Sequence, residues 1–250
     1  MNPDLQCPVC GDCCELFDVV DFNKSCEELR GKFLRLAGSP VYYALCGACG
    51  FCFAPEFRNW NRQDFSEKIY NDGYLLVDPD YLDARPRANA NGLLSNLGDQ
   101  GRLVRHLDYG GGSGLLSKIL NDSGWQSTSY DSFDNQNTDI HELGKFGLIT
   151  AYEVFEHAQN IQSLMADVRA LLAQDGIVLF STLLSNGNIV ANKRLNWWYA
   201  APRNGHISLF SRESLTILAQ ANGLNFASFS EGFHIFYTVL PAWAASIRLK

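Results

Sequence analysis

Two short cysteine motifs with the same spacing are the first candidates for chemistry in this sequence. Each is a C-x-x-C pair followed by glycine, and 35 residues separate the two pairs. Such a turn brings two thiolates onto one ion, and the glycine permits the backbone conformation that the turn needs. Four thiolates complete the tetrahedral coordination of a structural zinc ion and leave no open position for a substrate. The spacing therefore predicts a zinc site at Cys7, Cys10, Cys46 and Cys49.

All eight cysteines of the 250-residue chain lie within the first 52 residues, which indicates a chain of two parts. Cys13 and Cys14 follow the first pair, and Cys52 makes a further C-x-x-C with Cys49, so each is an alternative ligand. A disulfide is the alternative to a metal. The sequence begins without the basic and apolar regions of a secretory leader. We therefore expect a reducing cytoplasm, in which clustered cysteines favour metal binding.

A second group of chemical side chains is the run Glu153-Val-Phe-Glu156-His157, which follows a predicted buried strand. The carboxyl ends of strands in an open α/β sheet carry the ligand site, so these side chains should face a ligand. His157 could take a proton from an acceptor hydroxyl near neutral pH. A magnesium-type ion held by Glu153, Glu156, His157 and His206 could instead lower the pKa of that hydroxyl. The third reading is a structural role in the pocket wall.

A glycine-rich turn, Tyr109-Gly-Gly-Gly-Ser-Gly114, lies between a predicted strand, Leu103–Asp108, and a predicted helix, Leu115–Asn121. Glycines let the backbone approach a ligand closely, and the helix start offers free N–H groups. A second predicted strand, Gln126–Tyr130, ends at Asp131. An acidic residue about 20 positions after the first glycine suits a pair of ribose hydroxyls. Asp134 is the alternative if this strand ends later.

Further elements alternate in the manner of a doubly wound α/β fold. The pattern predicts a strand over Phe146–Ala151, a helix over Leu164–Leu172, a turn at Gln174–Gly176 and a strand over Ile177–Thr182. A helix capped by Ser211 and two final antiparallel strands, Leu224–Phe229 and Phe233–Leu240, complete the expected sheet.

This order of elements and the G-x-G-x-G turn resemble the class I S-adenosylmethionine-dependent methyltransferases over roughly residues 99–240. Gly147 and Asp175 depart from the family, which commonly has Asp at the first position and Gly or Pro at the second. The resemblance implies a Rossmann-like fold. It also implies that S-adenosylmethionine is bound by Asp108, Tyr109, Gly110, Gly112, Gly114 and Asp131.

Two shorter resemblances bear on the acceptor. The cysteine pattern is similar to the zinc modules of some sugar C-methyltransferases and of one kind of ribosomal RNA guanine methyltransferase. The E-x-x-E-H run is similar to that of methyltransferases acting on quinone-precursor hydroxyls and on small-RNA 3′ ends, where it holds a divalent ion. The resemblance also places an active-site histidine at His206.

Three regions are predicted: a zinc-ribbon module over 1–55, a linker or lid over 56–98 and the methyltransferase domain over 99–250. As a lid, the middle region would place Tyr70 or Tyr74 on the cofactor and Arg85 or Arg87 on an anionic acceptor. Residues 183–208 form an expected acceptor-recognition insertion. Its Asn196-Trp-Trp-Tyr199 run could stack on an acceptor, with Arg203 clamping an anion, or could plug the sheet edge. The tail from Pro241 either packs on the sheet or helps subunits associate.

Composition and charge narrow the function. The chain is 46% hydrophobic and 19% charged, as globular proteins are, and its formal net charge is −7. Residues 1–52 hold four Lys and Arg against seven Asp and Glu. Nucleic-acid binding needs a surplus of positive charge. No apolar run reaches the ~20 residues that span a bilayer.

We therefore expect methyl transfer to a small-molecule acceptor, first of all a nucleotide-linked or carrier-linked sugar, by a monomer or homodimer. The alternatives are an RNA methyltransferase that docks through the zinc ribbon, and a non-catalytic, zinc-mediated interaction protein.

Overall fold

The structure is a computed structural model that describes residues 5–133 and 139–244, and these form two compact units. The first unit comprises the chain as far as Pro79 together with Glu156–Gln162 and Leu183–Leu218. The second comprises Asp80–Phe155, Ser163–Thr182 and the chain from Ala219 onward. Each unit is assembled from three separate stretches of sequence, and the predicted boundaries 1–55, 56–98 and 99–250 stay a prediction.

The first unit is organised around a four-stranded antiparallel sheet. Its strands are β1 (Cys14–Asp21), β2 (Pro40–Cys46), β3 (Cys52–Phe53) and β8 (Ser208–Leu209), in that spatial order. β2 runs directly into the second cysteine pair, which begins at Cys46. The sequence-distant β8 joins this sheet by pairing Leu209 with Cys52 and Ser208 with Phe53.

An aromatic-rich core stabilises the first unit. Tyr43 and Phe57 are fully buried in it, and Trp197 and Tyr199 from the insertion pack into the same cluster. The helix α1 (Arg62–Lys68) belongs to this unit and begins with a capping box at Asn61. The Asp64 N–H donates to Asn61 Oδ1 at 3.1 Å, and the Asn61 N–H donates to Asp64 Oδ2 at 3.0 Å.

The second unit contains the predicted doubly wound sheet. Its strands are β4 (Arg105–Tyr109), β5 (Gln126–Tyr130), β6 (Phe146–Tyr152), β7 (Leu172–Ser181), β9 (Asn225–Ser228) and β10 (Phe233–Tyr237). Their spatial order is β5-β4-β6-β7-β10-β9. The first four strands in this order are parallel, and β10 runs antiparallel to both of its neighbours, as expected of the last two strands.

Four further α-helices occur among the described residues. They are α2 (Ala84–Leu97), α3 (Leu115–Asp122), α4 (Ile161–Leu171) and α5 (Arg212–Ala221). The predicted cap of α5 is present, because the Ser214 N–H donates to Ser211 Oγ at 2.9 Å. No helix among the described residues has the length and apolar character needed to cross a membrane.

Several predicted boundaries are wrong. The helix predicted over Leu164–Leu172 is α4, which begins at Ile161, and the strand predicted to reach Leu240 ends at Tyr237. Leu103 ends a 3₁₀ helix that begins at Gly98, and β4 starts only at Arg105. The turn predicted at 174–176 lies inside β7, as an irregularity in its pairing with β6. Leu172 is opposite Phe146 and Ile177 is opposite Leu148, so five steps along β7 cover two along β6. Between β5 and β6, the described residues form a 3₁₀ helix at Ile140–Leu143 and no strand, and Asp134 lies outside the described residues.

Candidate functional site

The two cysteine pairs of the first unit form turns with matching backbone hydrogen bonds. The Gly11 N–H donates to the Cys7 carbonyl, and the Gly50 N–H donates to the Cys46 carbonyl, each at 2.9 Å. Both glycines have positive φ, +78° and +71°, which side-chain-bearing residues rarely adopt. The spacing thus produces two equivalent knuckles.

The four predicted zinc ligands converge. Cys7 Sγ lies 3.6 Å from Cys49 Sγ, and Cys10 Sγ lies 3.5 Å from Cys46 Sγ, and all four sulfurs lie within 4.8 Å of one another. Zn–S bonds of about 2.3 Å in a tetrahedron place sulfurs about 3.8 Å apart, so the donor set fits zinc. The hydrogen bond from Cys49 lowers the pKa of Cys7 to about 5, which favours a thiolate.

The other cysteines near this cluster differ in their surroundings. Cys13 is exposed, whereas Cys14 is buried at the start of β1, opposite Cys46. Cys52 is buried in the aromatic core, and burial raises the pKa of its thiol.

The glycine turn of the second unit follows β4 closely. Gly110, Gly112 and Gly114 all have positive φ, between +51° and +76°. A Cβ at Gly111 would lie 2.6 Å from Asp108 Oδ2 and would also collide with Ser129. A Cβ at Gly112 would meet nothing within 4 Å, so the turn is open there. The backbone conformation therefore favours glycine at positions 110, 112 and 114, and tight packing requires it at Gly111.

Asp131 lies at the end of β5, where the sequence placed it. Its Oδ2 accepts the Gly112 N–H at 3.1 Å, and its Oδ1 accepts the Phe133 N–H at 2.8 Å. Each carboxylate oxygen has two lone pairs and can still accept a further hydrogen bond. The carboxylate is half-buried and fixed beside the glycine turn.

Asp108 is buried beneath the turn and accepts a 2.8 Å hydrogen bond from Thr150 Oγ1. Burial raises the pKa of Asp108 to about 7. His106, two residues earlier on β4, contacts Thr150 Oγ1 through Nε2 at 2.9 Å, and burial lowers its pKa to about 3. Tyr109 is also buried, and its hydroxyl donates to Asp167 Oδ2 at 2.8 Å. The Tyr109 side chain is thus engaged within the unit.

Glu153, also in the second unit, adopts φ +53°, an unusual conformation for a residue other than glycine. Ser181 holds it there, because Ser181 Oγ accepts the Glu153 N–H and donates to Glu153 Oε1, both at 2.8 Å. Strained backbone of this kind concentrates at functional sites.

Glu156, His157 and His206 come together in the first unit, with one donor atom of each within 4.8 Å of the others. The imidazole centroids are 5.0 Å apart. Glu156 is fully buried, and its Oε1 accepts the hydroxyl of Tyr199 at 2.6 Å. Of the four predicted catalytic residues, these three therefore form one cluster, and Glu153 has the separate setting described above.

The contacts of the two histidines define their proton positions. His157 Nδ1 lies 3.1 Å from the Gly205 carbonyl, and His206 Nδ1 lies 2.9 Å from the Tyr199 carbonyl. A carbonyl oxygen only accepts, so each Nδ1 carries the hydrogen. In the neutral form each Nε2 then has a lone pair, which can accept a proton or bind a metal ion.

The predicted lid residues have defined partners. Tyr70 Oη lies 3.3 Å from His157 Nδ1, and the Tyr74 hydroxyl donates to the Asn204 carbonyl at 3.3 Å. Arg203 is buried and donates to the Ile69 carbonyl at 2.8 Å, so its guanidinium holds backbone. Arg87 pairs with Asp83 at 2.8 Å on the surface.

Sequence reasoning missed three side chains of this cluster. Tyr199 was expected only to stack or to plug the sheet edge, and neither Tyr43 nor Cys26 was considered. The Tyr43 hydroxyl donates to the His206 carbonyl at 2.7 Å, and Cys26 Sγ lies 3.6 Å from His206 Nδ1. More than 160 residues separate each from His206, so no local pattern could have revealed these contacts.

Comparison with known proteins identifies the family to which this chain belongs. A family model described as a methyltransferase domain matches residues 81–228. No curated protein matches the chain. Human N-acetylserotonin methyltransferase, solved in complex with S-adenosylmethionine, is 14% identical with a TM-score of 0.50, over 70% of this chain and 59% of that chain.

Two further solved structures resemble the chain less closely in TM-score. The 1,6-didemethyltoxoflavin-N1-methyltransferase of Burkholderia thailandensis is 18% identical with a TM-score of 0.49, over 81% of this chain and 96% of that one. The pyocyanin biosynthetic protein PhzM is 17% identical with a TM-score of 0.46, over 70% and 63%. The chain thus spans less than two thirds of PhzM and of the human enzyme.

The family match covers more than half of the chain and includes the glycine turn, Asp131, the Glu153–His157 run and His206. The parallel sheet with its antiparallel final pair agrees with that match. The chain therefore belongs to the methyltransferase-domain family, and its sheet has the doubly wound α/β fold of class I methyltransferases.

Proposed function

We propose that the protein transfers the methyl group of S-adenosylmethionine to a hydroxyl of a small-molecule acceptor, with His157 as the general base. The observation that carries this proposal is the cluster of Glu156, His157 and His206, in which the Gly205 and Tyr199 carbonyls hold the two Nδ1–H groups, so that Nε2 is the basic nitrogen of each imidazole. S-adenosylmethionine supplies a methyl group on sulfur, which is already a good leaving group. The chain must therefore bind the cofactor and the acceptor, orient them, and remove the proton from the acceptor hydroxyl.

The glycine turn and Asp131 would bind this cofactor. The open backbone at Gly112 admits a ligand, and the helix start after Gly114 offers N–H groups. Asp131 can accept one ribose hydroxyl on each oxygen, since Gly112 and Phe133 already fix both oxygens in place. Asp108 would act from beneath by holding the turn.

His157 would accept the acceptor's proton at Nε2 as the oxygen attacks. The Gly205 carbonyl fixes its tautomer and orientation. Glu156, held by Tyr199, would place a negative charge near the imidazolium that forms. Holding the acceptor oxygen about 3–3.5 Å from the methyl carbon would raise the rate of transfer further.

The test is the pair His157→Ala and His141→Ala, since His141 is exposed on a 3₁₀ helix of the second unit. Loss of a general base lowers the rate by about 10²–10⁴. We expect that loss for His157→Ala with unchanged S-adenosylmethionine affinity, and normal rates for His141→Ala. Near-normal turnover of His157→Ala with cofactor still bound would refute the base.

A metal ion at the same cluster is the second candidate, because three ligand types converge there. Two imidazoles and one carboxylate suit a divalent transition-metal ion, whereas magnesium prefers oxygen ligands. Treatment with EDTA followed by addition of manganese, iron(II) or magnesium distinguishes the roles. Activity that survives EDTA supports the base alone, and restoration by a transition metal supports the ion.

We also propose a structural zinc ion at Cys7, Cys10, Cys46 and Cys49, on the strength of the sulfur distances. Metal analysis of Cys46→Ser and of the exposed Cys13→Ser is the matched test. We expect one zinc per chain in Cys13→Ser and its loss in Cys46→Ser. Full zinc in Cys46→Ser would refute this ligand set.

The acceptor class that we propose is a nucleotide-linked or carrier-linked sugar. The resemblance of the cysteine pattern to sugar C-methyltransferases supports it, as does the half-buried Trp198 beside Tyr199, since tryptophan stacks well on sugar faces. Labelled S-adenosylmethionine and a panel of nucleotide sugars test it. A salt-dependent shift of RNA in a gel would favour the RNA alternative. Monomer or homodimer, and a cytoplasmic location, stay predictions.

A further inference from the structure

The segment between the two knuckles, residues 11–45, is bonded to the insertion, residues 183–208, at several points in the first unit. Asp18 Oδ2 accepts the Leu195 N–H at 2.6 Å and Arg194 Nε at 2.9 Å. Lys24 Nζ donates to the Trp197 carbonyl at 3.0 Å. The inter-knuckle segment therefore holds the middle of the insertion.

The same segment holds the loop that carries His206. The Tyr43 hydroxyl donates to the His206 carbonyl at 2.7 Å, and the Cys26 N–H donates to Asn204 Oδ1 at 2.8 Å. Tyr43 is fully buried, and His206 is 5% exposed. A buried carbonyl that accepts a short hydrogen bond is held tightly, because water does not compete for it there.

The second knuckle flanks His206 along the sheet. Tyr43 lies on β2, which ends at Cys46, and β3 begins at Cys52 just after the knuckle. β3 pairs with β8, which starts two residues after His206. The Ser211 hydroxyl also donates to the Cys49 carbonyl at 2.5 Å. Backbone on both sides of His206 is thus tied to the cysteine knuckle.

We infer that the zinc module positions His206 within the candidate acceptor site, with Tyr43 as the positioning residue that couples the knuckle to the histidine. The inference rests on the proposed function for the site's role and on the hydrogen bonds above for the coupling. Metal at the knuckle would keep β2 and β3 in register. Without metal, four thiols have no common partner, and the strands that bracket His206 lose their anchor.

The 15N imidazole NMR signals of the chain's five histidines test this coupling without a known acceptor. Signals are assigned with single His→Gln variants. In Tyr43→Phe, we expect the His206 signals to shift and those of His106 and His234, both in the second unit, to stay in place. The control is Tyr42→Phe, the exposed neighbour on the same strand, which should leave all five unchanged.

The second measurement removes the metal by chelation and then restores zinc. We expect a reversible change in the His206 signals that matches the direction seen in Tyr43→Phe, with S-adenosylmethionine affinity within twofold of the starting value. If the His206 signals stay in place both in Tyr43→Phe and after removal of the metal, the inference is wrong. If the untreated protein does not bind S-adenosylmethionine, the proposed function fails, and the NMR result still decides the coupling.

Discussion

The hydroxyl of Tyr199 donates a 2.6 Å hydrogen bond to Oε1 of the fully buried Glu156. The backbone carbonyl of Tyr199 also accepts His206 Nδ1 at 2.9 Å, and the two rings lie 4.2 Å apart. One residue of the insertion thereby orients both a carboxylate and an imidazole of the candidate site.

Removing this hydroxyl should destabilise the protein measurably. Tyr199→Phe keeps the ring but leaves the buried Glu156 Oε1 without this donor, which costs about 1–3 kcal/mol. We expect urea unfolding to show a loss in that range. Tyr42→Phe, on an exposed ring, should change the free energy of unfolding by less than about 0.5 kcal/mol. Equal stability of the two variants would contradict the role of Tyr199.

Asp108 should make stability depend on pH. Burial raises its pKa from 3.8 to about 7, so its neutral form is favoured in the folded protein. The stability it contributes is complete below about pH 3.8 and is lost as the pH rises through about 7. The unfolding free energy of wild type relative to that of Asp108→Asn should therefore decrease from pH 4 to pH 8. A difference that stays constant over this range would contradict the raised pKa.

His106 should give the opposite trend. Its folded-state pKa is lowered from 6.5 to about 3, so its contribution is present above pH 6.5 and is lost as the pH falls toward 3. The unfolding free energy of wild type relative to His106→Gln should decrease between pH 7 and pH 4. An increase over that interval would contradict the buried neutral histidine.

Substitution by alanine should have opposite effects on stability at two glycines, Gly101 and Gly92. A Cβ at Gly101 would collide with the buried Trp125 ring, so Gly101→Ala should cost about 1–3 kcal/mol. A Cβ at Gly92, inside α2, would meet nothing within 4 Å, so Gly92→Ala should stabilise the helix by about 0.5–1 kcal/mol. Thermal unfolding of both variants checks the signs, and a stabilised Gly101→Ala would count against the packing at Trp125.

The sequence was most informative where structure is local. The strand, glycine turn and helix around Gly110–Gly114, and the carboxylate at Asp131, follow from short patterns that the structure reproduces. The knuckles are equally local, because each is a five-residue turn. The pattern at Gln174–Gly176 predicted a turn, but these residues lie within β7. Their pairing with β6 is irregular, which is a tertiary feature that the local sequence does not specify.

The candidate acceptor site was only partly predictable. His206 could be placed by resemblance, but its contacts with Tyr43 and Cys26 join distant parts of the chain. The E-x-x-E-H run could not reveal that its two carboxylates differ. Glu153 is turned by a positive φ onto Ser181, whereas Glu156 is buried against Tyr199. Side-chain direction in such a run depends on backbone conformation, which residue spacing does not specify.

The most direct test of the central claim is calorimetric titration of S-adenosylmethionine into wild type, Asp131→Ala and the exposed control Glu15→Ala. We predict one bound cofactor per chain in wild type and in Glu15→Ala. In Asp131→Ala, loss of hydrogen bonds to a charged group should weaken binding at least about tenfold. No binding by wild type, or equal affinity of wild type and Asp131→Ala, would contradict the account.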